Sequence, residues 1–585
     1  MRGEDLLQSS YKSGRRRENY MLSSFIVYTT TTDLTTVSII IMFATFAVGV
    51  FALVGCIIYH QFFRKKDALL SLPPGPRALP IIGNLLDLPP AGTPEFQHWL
   101  PFKDVYGPLS SVTVLGQTMV IIQDKQAAHE IMNEMSLKTS SRPRTVFAYE
   151  LCGLDDFTSG KPYDATFRLH RKVMHQQAGT RLLAGRFNDI QDTESRHLLQ
   201  RILDDPENLV KHFRTLAGAI VLKIVYGYSI DPHATDPLVA LIEKMMDNFS
   251  IAMTPMRYLV DIFPVLQHLP NGFPGTAFKN EAQKMKKLNF DTAHIPYTFV
   301  EQQMANGSCR SSFVSNLIER YSSDKSNDAK LDHDTEDAIK WAAGIMYGGG
   351  ADTTVSALTA FTLAMLLFPE VQKKAQEEID NVIGANPSRL PRFGDEVRLP
   401  YVSAVAKELM RWYSVVPMTT PHMSDEEITY GGCRIPKGSI LIVSSWWLNH
   451  NPQTYSDPYR FSPERFLEPR NEPEPSGPFG WGRRICPGRY ISNDTIFITV
   501  ARVLATFNIT KATDKNGAFM EPKLEYSPGL ISHPASFPYA ITVRSQKHEE
   551  LIRSAEVDHP WEKSDADFLV FGGDEQPTDQ NLKFP

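Results

Sequence analysis

One cysteine of this chain stands in a loop rich in glycine, arginine and proline. The loop reads Phe479-Gly480-Trp481-Gly482-Arg483-Arg484-Ile485-Cys486-Pro487-Gly488, and an apolar pattern with helical spacing follows from Tyr490 to Phe507. A helix N-terminus and nearby arginines both favour the anion, so Cys486 can be held as a thiolate. Such a thiolate is a metal ligand or a nucleophile, and the glycines let the backbone approach a large flat group. The simpler alternative is a turn before a helix with an inert, buried cysteine.

A run of glycines interrupts a long helical pattern that extends from about Ala338 to Leu367. The run reads Gly348-Gly349-Gly350-Ala351-Asp352-Thr353-Thr354. Each interior glycine costs a helix roughly 1 kcal/mol relative to alanine, so the run needs a physical reason. One reason is close helix packing. A better one is a flat cofactor lying against the helix, with a local widening that frees a backbone carbonyl, because such distortions collect at functional sites.

Two charged residues lie at a spacing that places them on one face of a helix. Glu408 and Arg411 are three positions apart in the helical pattern from Val402 to Trp412, and residues at this spacing are neighbours on a helix surface. Taken alone, they would form an exposed ion pair of small energetic value. A further arginine, Arg465, occurs downstream in Pro463-Glu464-Arg465-Phe466.

The order and spacing of these motifs resemble the cytochrome P450 family. The cysteine loop matches Phe-x-x-Gly-x-Arg-x-Cys-x-Gly, and residues 349–354 match (Ala/Gly)-Gly-x-(Asp/Glu)-Thr-Thr. The resemblance implies the P450 fold, mainly α with small β-sheets, and a haem b cofactor whose iron takes its axial thiolate from Cys486. It implies that Thr353 hydrogen-bonds bound dioxygen and that Asp352 relays protons; a hydroxyl that both donates and accepts suits this task. The residues implied to contact the haem are Cys486, Arg484, Phe479, Gly482, Gly488, Arg171, His422, Gly349 and Gly350.

The resemblance also assigns roles to charged residues outside the cysteine loop. Glu408, Arg411 and Arg465 are expected to form a buried network that shapes the loop, and loss of one member would leave an unpaired buried charge. Arg171 belongs to a basic cluster that would otherwise be read as a solvated face, and the resemblance makes it a partner of a haem propionate. Phe167 stands where the family has tryptophan, so the indole N–H contact to the propionate should be lost.

The substrate pocket, by resemblance, draws on three segments that face the haem. These are the loop from Thr145 to Leu154, the stretch from Val415 to Thr420, and Leu530-Ile531. Thr419 occupies a position where glycine is frequent, so it either narrows the pocket or offers a hydrogen bond. The apolar lining favours a lipophilic substrate.

Composition excludes several other classes of protein. The chain has 585 residues, 42% of them hydrophobic, which is ample for a large core, and its net charge of −6 does not point to nucleic acid. The five cysteines are scattered without a CxxC pair. That usage favours a reducing compartment and predicts neither a disulfide framework nor a zinc site.

The two ends of the chain differ from its globular middle. Residues 1–36 read as a polar tail, and 37–59 form an uncharged apolar run long enough to cross a bilayer as a helix. Residues 60–78 form a basic and proline-rich hinge, 79–546 a haem-thiolate catalytic domain, and 547–585 an acidic, loosely ordered tail. Basic residues at 64–66 favour a single-pass anchor in the endoplasmic reticulum membrane with a cytosolic catalytic domain, although the arginines at 15–17 argue for the reverse orientation.

The sequence therefore predicts a membrane-anchored haem-thiolate monooxygenase, similar to fungal members such as O-methylsterigmatocystin oxidoreductase. The substrate would be a terpenoid, polyketide or aromatic secondary metabolite. No flavin or nicotinamide motif is present, so electrons should come from a separate NADPH-cytochrome P450 reductase, with cytochrome b5 as a further donor. Arg168, Lys172, Arg483 and Arg489 are candidates for docking the reductase. The alternatives are a haem-thiolate isomerase or dehydratase that uses no O2, a non-catalytic haem sensor, and a membrane-tethered scaffold.

Overall fold

The computed structural model describes residues 70–90, 92–254, 257–323 and 331–571, with five isolated helical residues before them. The predicted polar tail, 1–36, lies outside the described residues, and so does the predicted membrane span, 37–59, apart from Thr45, Val48, Gly49, Ala52 and Gly55. The chain divides into two units, Met1–Leu69 with Ala78–Gly83, and Leu70–Arg77 with Asn84–Pro585. In the first unit, Leu79 and Gly83 exchange main-chain hydrogen bonds. Everything below concerns the second unit.

Helices dominate the described part of the second unit, as predicted. Those of eleven residues or more are α1 Ala165–Ala178, α2 Asn188–Asp204, α3 Leu209–Tyr226, α4 Pro237–Ala252, α5 Ala277–Ala305, α6 Phe313–Ser323, α7 His333–Leu367, α8 Pro369–Ile383, α9 Pro400–Trp412, α10 Arg489–Thr506 and α11 Gln546–Asp558. Shorter α-helices are Glu95–Trp99, Phe102–Val105, Lys125–His129, Ser136–Thr139, Arg181–Ala184, Leu259–Ile262 and Ser445–His450. Glu130–Glu134 and Val146–Leu151 are π-helical turns.

The longest of the described helices, α7, lies in the middle of the hydrophobic core. It is apolar on all sides, as expected of a helix buried on every face, and packs against α1, α3, α4, α5, α9 and α10. Its N-terminus is capped by Asp332, whose carboxylate accepts from the amide of Thr335 at 3.0 Å. Within the described residues it alone has the length and hydropathy of a membrane span, but 78% of its most apolar window is buried inside the protein. Its composition is therefore that of a core helix.

Three small sheets complete the described fold. The first sheet has four strands in the order β1-β2-β6-β3: β1 Leu109–Val114, β2 Gln117–Ile122, β6 Ile440–Val443 and β3 His422–Met423. The second sheet pairs β4 Ile428–Tyr430 with β5 Cys433–Ile435. The third pairs β7 Phe507–Thr510 with β8 Ala540–Val543. The β1–β2 hairpin turns at Leu115 and Gly116, whose φ angles are 49° and 87°. Positive φ at both central residues is the turn that suits the twist of two antiparallel strands.

The proline-rich stretch before Arg77 is held against the sheets rather than hanging free. Ser111 donates from its amide to the carbonyl of Pro74 at 2.8 Å and from its hydroxyl to that of Pro73 at 2.6 Å. A Cβ on Gly75 would lie 1.8 Å from the Ser111 carbonyl oxygen. The stretch is therefore docked on β1 in a fixed position.

The C-terminal segment differs from the loosely ordered tail predicted from residue 547. The described part, to residue 571, begins with α11, which buries His548, Ile552 and Ala555 against the body. These three positions follow an i, i+4, i+7 spacing, the pattern of one helix face. Only these three residues of a strongly charged helix are buried, so the helical pattern is difficult to recognise in the sequence.

Candidate active site

A cavity of about 360 Å³ brings most of the predicted site residues together. Its walls come from α1, α3, α7, the segment before β3, the cysteine loop and the first turns of α10. The predicted site residues among its lining are Arg171, Gly349, Gly350, Thr353, His422, Phe479, Arg484, Cys486 and Gly488. Gly482 and Asp352 are not lining residues of this cavity.

The cysteine loop is closed on itself and docked on a neighbouring turn. The amide of Cys486 donates to the carbonyl of Phe479 at 2.8 Å. The amide of Gly482 donates to Oδ1 of Asn133 at 2.6 Å, and a Cβ on Gly482 would lie 2.1 Å from the carbonyl oxygen of Met132. Gly482 therefore permits close contact with the π-helical turn Glu130–Glu134, rather than contact with the cavity.

The thiol of Cys486 faces the cavity, where burial and positive charge act on it in opposite directions. Burial raises the pKa of Cys486, while the amide of Gly488 and the charges of Arg171 and Arg489 oppose this rise. The sequence suggested that the thiolate would be favoured, but in the chain by itself burial has the larger effect. A bound metal ion would reverse the balance, because a coordinating thiol is deprotonated.

The glycine run of α7 forms the facing wall and serves two purposes. A Cβ on Gly350 would lie 2.6 Å from Cγ2 of Val221, and one on Gly348 would lie 3.1 Å from Cε of Met245, so both glycines permit close packing. Gly349 has no such neighbour within 4 Å and lines the cavity. The predicted local widening is absent, because α7 is regular throughout, and the hydroxyl of Thr353 donates to the Gly349 carbonyl at 2.7 Å.

Asp352 points away from the cavity toward a residue that the sequence did not suggest. Its Oδ2 lies 3.2 Å from Nε2 of His533, and both side chains are partly exposed. No motif marked His533, since a single histidine in a loop gives no signal of its partner. The pair places an ionisable side chain next to the predicted relay acid.

Positive side chains line part of the cavity, and none of them forms an ion pair in the described part of the chain. Arg484 donates to the carbonyls of Ser140 and Lys161, both at 2.6 Å, and its guanidinium lies 3.7 Å from the ring centre of Phe167. The substitution of tryptophan by Phe167 therefore leaves an aromatic surface on which Arg484 stacks. Arg171 donates to the carbonyl of Ile485 at 2.8 Å, next to Cys486.

A buried arginine that the sequence analysis missed completes this group. Arg142 lines the cavity and donates to the carbonyls of Thr420 and Pro421, at 3.0 and 2.6 Å. Burial lowers the pKa of Arg142 to about 10. Burial, followed by the charge of Arg142, lowers the pKa of Arg484 to about 8. His422 is buried beside them, with Nδ1 2.7 Å from the Thr139 carbonyl, and burial holds its pKa well below the ordinary value.

This cluster provides a test of whether the cavity suits haem. None of the ion pairs among the described residues involves Arg142, Arg171 or Arg484. Buried cations without counter-ions are costly, so a ligand with two carboxylates would compensate them. Haem carries two propionates, and the cavity offers it a cysteine on one wall and a bare glycine on the opposite wall. The residues present therefore fit the cofactor.

Glu408, Arg411 and Arg465 meet in a fully buried network. Arg411 Nε lies 2.7 Å from Glu408 Oε2, Arg465 Nε lies 2.9 Å from Glu408 Oε1, and all three side chains are 0% exposed. A fourth member, Glu472, accepts from Arg465 Nη1 at 2.6 Å and was not anticipated. The network balances its own charges within the chain.

A chain of hydrogen bonds connects this network to the cysteine loop. Arg411 donates to the carbonyl of Asn449 at 2.7 Å. The Asn449 side chain accepts from the amide of Ser476 at 2.7 Å and donates to the carbonyl of Ser476 at 3.2 Å. Ser476 lies three residues before Phe479, so the network fixes the chain close to the point where the loop begins. Trp446, on the same short helix, is buried and stacks on His450, a packing role.

Comparison with known proteins identifies the architecture. The family model described as cytochrome P450 matches residues 73–537. The chain belongs to the cytochrome P450 family. It is 49% identical to cytochrome P450 monooxygenase CLM2 of Gibberella zeae over 88% of this chain and 97% of that protein.

Two further relatives are similar over most of their length. Multifunctional cytochrome P450 monooxygenase af510 of Aspergillus fumigatus is 44% identical over 86% of this chain and 94% of its own. O-methylsterigmatocystin oxidoreductase of Aspergillus flavus is 37% identical over 88% of this chain and 96% of its own. The fungal resemblance found in the sequence is confirmed. The protein is a P450 monooxygenase whose cofactor is haem, with a cysteine thiolate as axial ligand.

The cavity wall of this P450 matches one of the three predicted substrate segments. Val415, Val416, Thr419 and Thr420 line the cavity, but no residue of 145–154 and neither Leu530 nor Ile531 does. The loop 145–154 instead enters the main hydrophobic core. The additional apolar wall is α3, through Ala217, Ile220, Val221, Ile224 and Val225. Thr419 exchanges hydrogen bonds with the main chain of Val443, so its hydroxyl is already engaged within the protein.

Proposed function

We propose that this P450 inserts one oxygen atom from O2 into a lipophilic small molecule of fungal secondary metabolism. The proposal depends on one observation: Cys486 and Thr353 line the same cavity as Arg142, Arg171 and Arg484, and these arginines form no ion pair among the described residues. This arrangement supplies a metal ligand, a proton-transfer group and an anion site around one cavity.

The chain's own residues would hold the haem at defined points. Cys486 would ligate the iron, with Phe479, Gly482 and Gly488 keeping the loop in shape. Arg142, Arg171, Arg484 and His422 would face the propionates, whose charge would satisfy these side chains. Gly349 and Gly350 would leave room on the facing wall. When bound, thiolate-ligated haem supplies the activation of O2, because the thiolate favours cleavage of the O–O bond.

Proton delivery would be the task of Asp352 and Thr353. Thr353 lines the cavity, and its hydroxyl can donate and accept. Asp352 is partly exposed and lies next to Thr353 in α7, so it can exchange protons with solvent. An enzyme that isomerises or dehydrates its substrate without O2 would have no use for this pair.

The substrate would be apolar and of the terpenoid, polyketide or aromatic class. The walls facing the proposed haem site are chiefly Val, Ile, Met and Ala side chains, which suit an apolar ligand. The name of one relative specifies oxidation of O-methylsterigmatocystin, which supports a secondary metabolite without identifying it for this chain.

Electrons would arrive from NADPH-cytochrome P450 reductase, with cytochrome b5 as a second donor. Arg168, Lys172 and Arg483 are exposed, and Arg489 is partly so. Arg168 and Arg483 lie 5.8 and 5.6 Å from the ring centre of Tyr163, so they belong to one surface. Arg171 donates to the carbonyl of Ile485, next to Cys486, and belongs to the same helix as Arg168 and Lys172, which supports a docking surface on the thiolate side. This charge would steer an acidic partner.

The protein would be anchored by residues 37–59 in the endoplasmic reticulum membrane, with the catalytic body in the cytosol. The uncharged apolar run and the basic residues at 64–66 support this location. The proline-rich stretch that follows is docked on β1, through the bonds from Ser111 to Pro73 and Pro74.

The deciding experiment is the carbon monoxide difference spectrum of the reduced protein. We expect the strongly red-shifted Soret band of thiolate-ligated haem, its loss in Cys486→Ser, and turnover that requires both NADPH and O2. Turnover without O2 would favour an isomerase or dehydratase. Folded, haem-loaded protein without the shifted band would refute the assignment of Cys486. Charge reversal at Arg168, Lys172 and Arg483 should slow reduction by the reductase and leave the spectrum unchanged.

A further inference from the structure

His533 contacts Asp352 on the side of α7 that does not line the cavity. The two side chains are 3.2 Å apart and are 34% and 25% exposed, so solvent reaches both. Thr353, the next residue along α7, lines the cavity. The pair is therefore open to solvent and adjacent along the chain to the residue at the proposed oxygen side of the haem site.

The loop that contains His533 is fixed to α7 and to the cavity wall. Ser356 lies one helical turn beyond Asp352, and its hydroxyl donates to the carbonyl of Ser532 at 2.6 Å. The amide of Ser532 donates to the carbonyl of Val415 at 2.9 Å. The amide of His533 donates to the hydroxyl of Ser527 at 2.8 Å. These bonds hold the imidazole beside Asp352 before any ligand binds.

Other charged groups face the pair from neighbouring helices. Asp247 of α4 has a raised pKa, chiefly because it is buried, and the charge of Asp352 adds to the rise. Lys244, Arg214 and His533 oppose it. The charge of His533 therefore acts on Asp247, while His533 is in hydrogen-bond contact with Asp352, the carboxylate adjacent to Thr353.

We propose that His533 is a positioning residue that orients Asp352 and supplies it with protons from solvent. This inference rests on the proposed monooxygenase function. The protonated imidazole donates from Nε2 to the Asp352 carboxylate, and Asp352 passes a proton toward the cavity at Thr353. The neutral imidazole then takes a proton from surface water, so protons balance and no electrons move. A histidine suits this task because its ordinary pKa allows both forms near neutral pH.

The first test uses the full-length holoenzyme with excess reductase, NADPH and O2, without added substrate. His533→Gln retains a hydrogen-bond donor but cannot exchange protons in this way. We expect it to slow NADPH consumption by roughly tenfold, less than the 10²–10⁴ that direct general acid–base catalysis contributes. The solvent isotope effect between H2O and D2O should increase. His533→Lys, which keeps a donor that exchanges protons, should restore part of the rate.

The matched control is His333→Gln, at the beginning of the same helix. His333 Nδ1 lies 3.5 Å from Asp337 Oδ2, so this variant breaks a similar pair far along α7 from the glycine run. It should change neither the rate nor the isotope effect. An unchanged rate and isotope effect in His533→Gln would overturn the inference.

A second measurement does not depend on turnover. Thermal midpoints are measured for Asp352→Asn, His533→Gln and the double variant, which together form a double-mutant cycle. If the two residues are coupled, the loss of stability in the double variant differs from the sum of the two single losses. Additive losses would show that the two side chains do not interact. The reduced carbon monoxide spectrum is recorded for every protein. Its absence in the unsubstituted chain would refute the proposed function, whereas normal spectra with unchanged rates would refute only the role of His533.

Discussion

At the scale of single residues, this P450 treats its buried charges in two different ways. Glu408 shares its carboxylate between Arg411 and Arg465, so these charges cancel within the chain. Arg142 and Arg484 donate only to main-chain carbonyls among the contacts described above. The first group is complete in the protein alone, whereas the second forms no ion pair among the described residues. We propose that arginine stabilises the fold in the first place and holds the haem propionates in the second.

Glu472, a member of the first group, should make the stability of the protein depend on pH. Burial would raise its pKa, but hydrogen bonds from Arg470, Ser456 and Arg465 outweigh that effect and lower it from 4.5 to about 2. A carboxyl with a lowered folded pKa stabilises the protein above its unfolded pKa and loses this contribution as pH falls. We expect Glu472→Gln to lower the free energy of unfolding by about 1–3 kcal/mol at pH 7, with the difference fading between pH 4.5 and 2.

The matched control is Glu474→Gln, two residues away. Glu474 is 68% exposed and pairs with Lys407 at the surface, a type of contact that contributes little to stability. Denaturant titrations at several pH values compare the two variants. Equal effects at pH 7, or a loss for Glu472→Gln that persists at pH 2, would contradict the expectation.

At the scale of elements, the cysteine loop depends on a turn distant in sequence. Gly482 and Gly480 both have positive φ, 55° and 80°, so each glycine relieves the same backbone strain. Only Gly482 is also in close contact with another element, the π-helical turn at Glu130–Glu134. The loop is therefore held from both sides: by this turn, and by Asn449 at Ser476.

Replacing each of these two glycines by alanine distinguishes the effect of backbone strain from the effect of a close contact. In Gly482→Ala the new Cβ would lie 2.1 Å from the Met132 carbonyl oxygen, whereas in Gly480→Ala the nearest atom would be 3.9 Å away. We expect Gly482→Ala to lose most of its haem, measured as the ratio of Soret to protein absorbance. Gly480→Ala should show only the smaller effect of strain, about 1 kcal/mol. Similar haem content in both would show that the contact with Met132 is unimportant.

The sequence predicted elements with strong local patterns better than it predicted contacts. The helix expected from Tyr490 to Phe507 is observed as α10, Arg489–Thr506, and the end of α7 at Leu367 was also predicted. Their apolar spacing and bounding residues are local signals. Arg142 and His533 were missed because their roles arise from neighbours that the fold brings from far along the chain. The widening of α7 was predicted wrongly, because Gly348 and Gly350 serve helix packing.

At the scale of the whole molecule, the C-terminal segment forms a strap outside the region matched by the family model. This strap, residues 546–571, crosses the helices on the side of α3 remote from the cavity. Trp561 stacks on His197 at 3.9 Å and lies 4.8 Å from the guanidinium of Arg201. Glu562 accepts from Lys223 of α3 at 2.5 Å, and Asp565 accepts from Arg310 at 2.5 Å. The strap therefore braces a helix that also forms a cavity wall.

Trp561→Ala tests whether this bracing reaches the haem site. The ring is only partly buried, so we expect a loss of about 2 kcal/mol in the free energy of unfolding, below the 3–5 kcal/mol of a core tryptophan. Because α3 presents Ile220 and Ile224 to the cavity, a looser α3 should also release haem several times faster, measured by transfer to excess apomyoglobin. Lys563→Ala, in the same segment but exposed, should change neither quantity. A lower stability with unchanged haem release would show that the strap stabilises the fold without acting on the cavity. Haem retention would then depend on the cysteine loop, α7 and the arginines of the cavity.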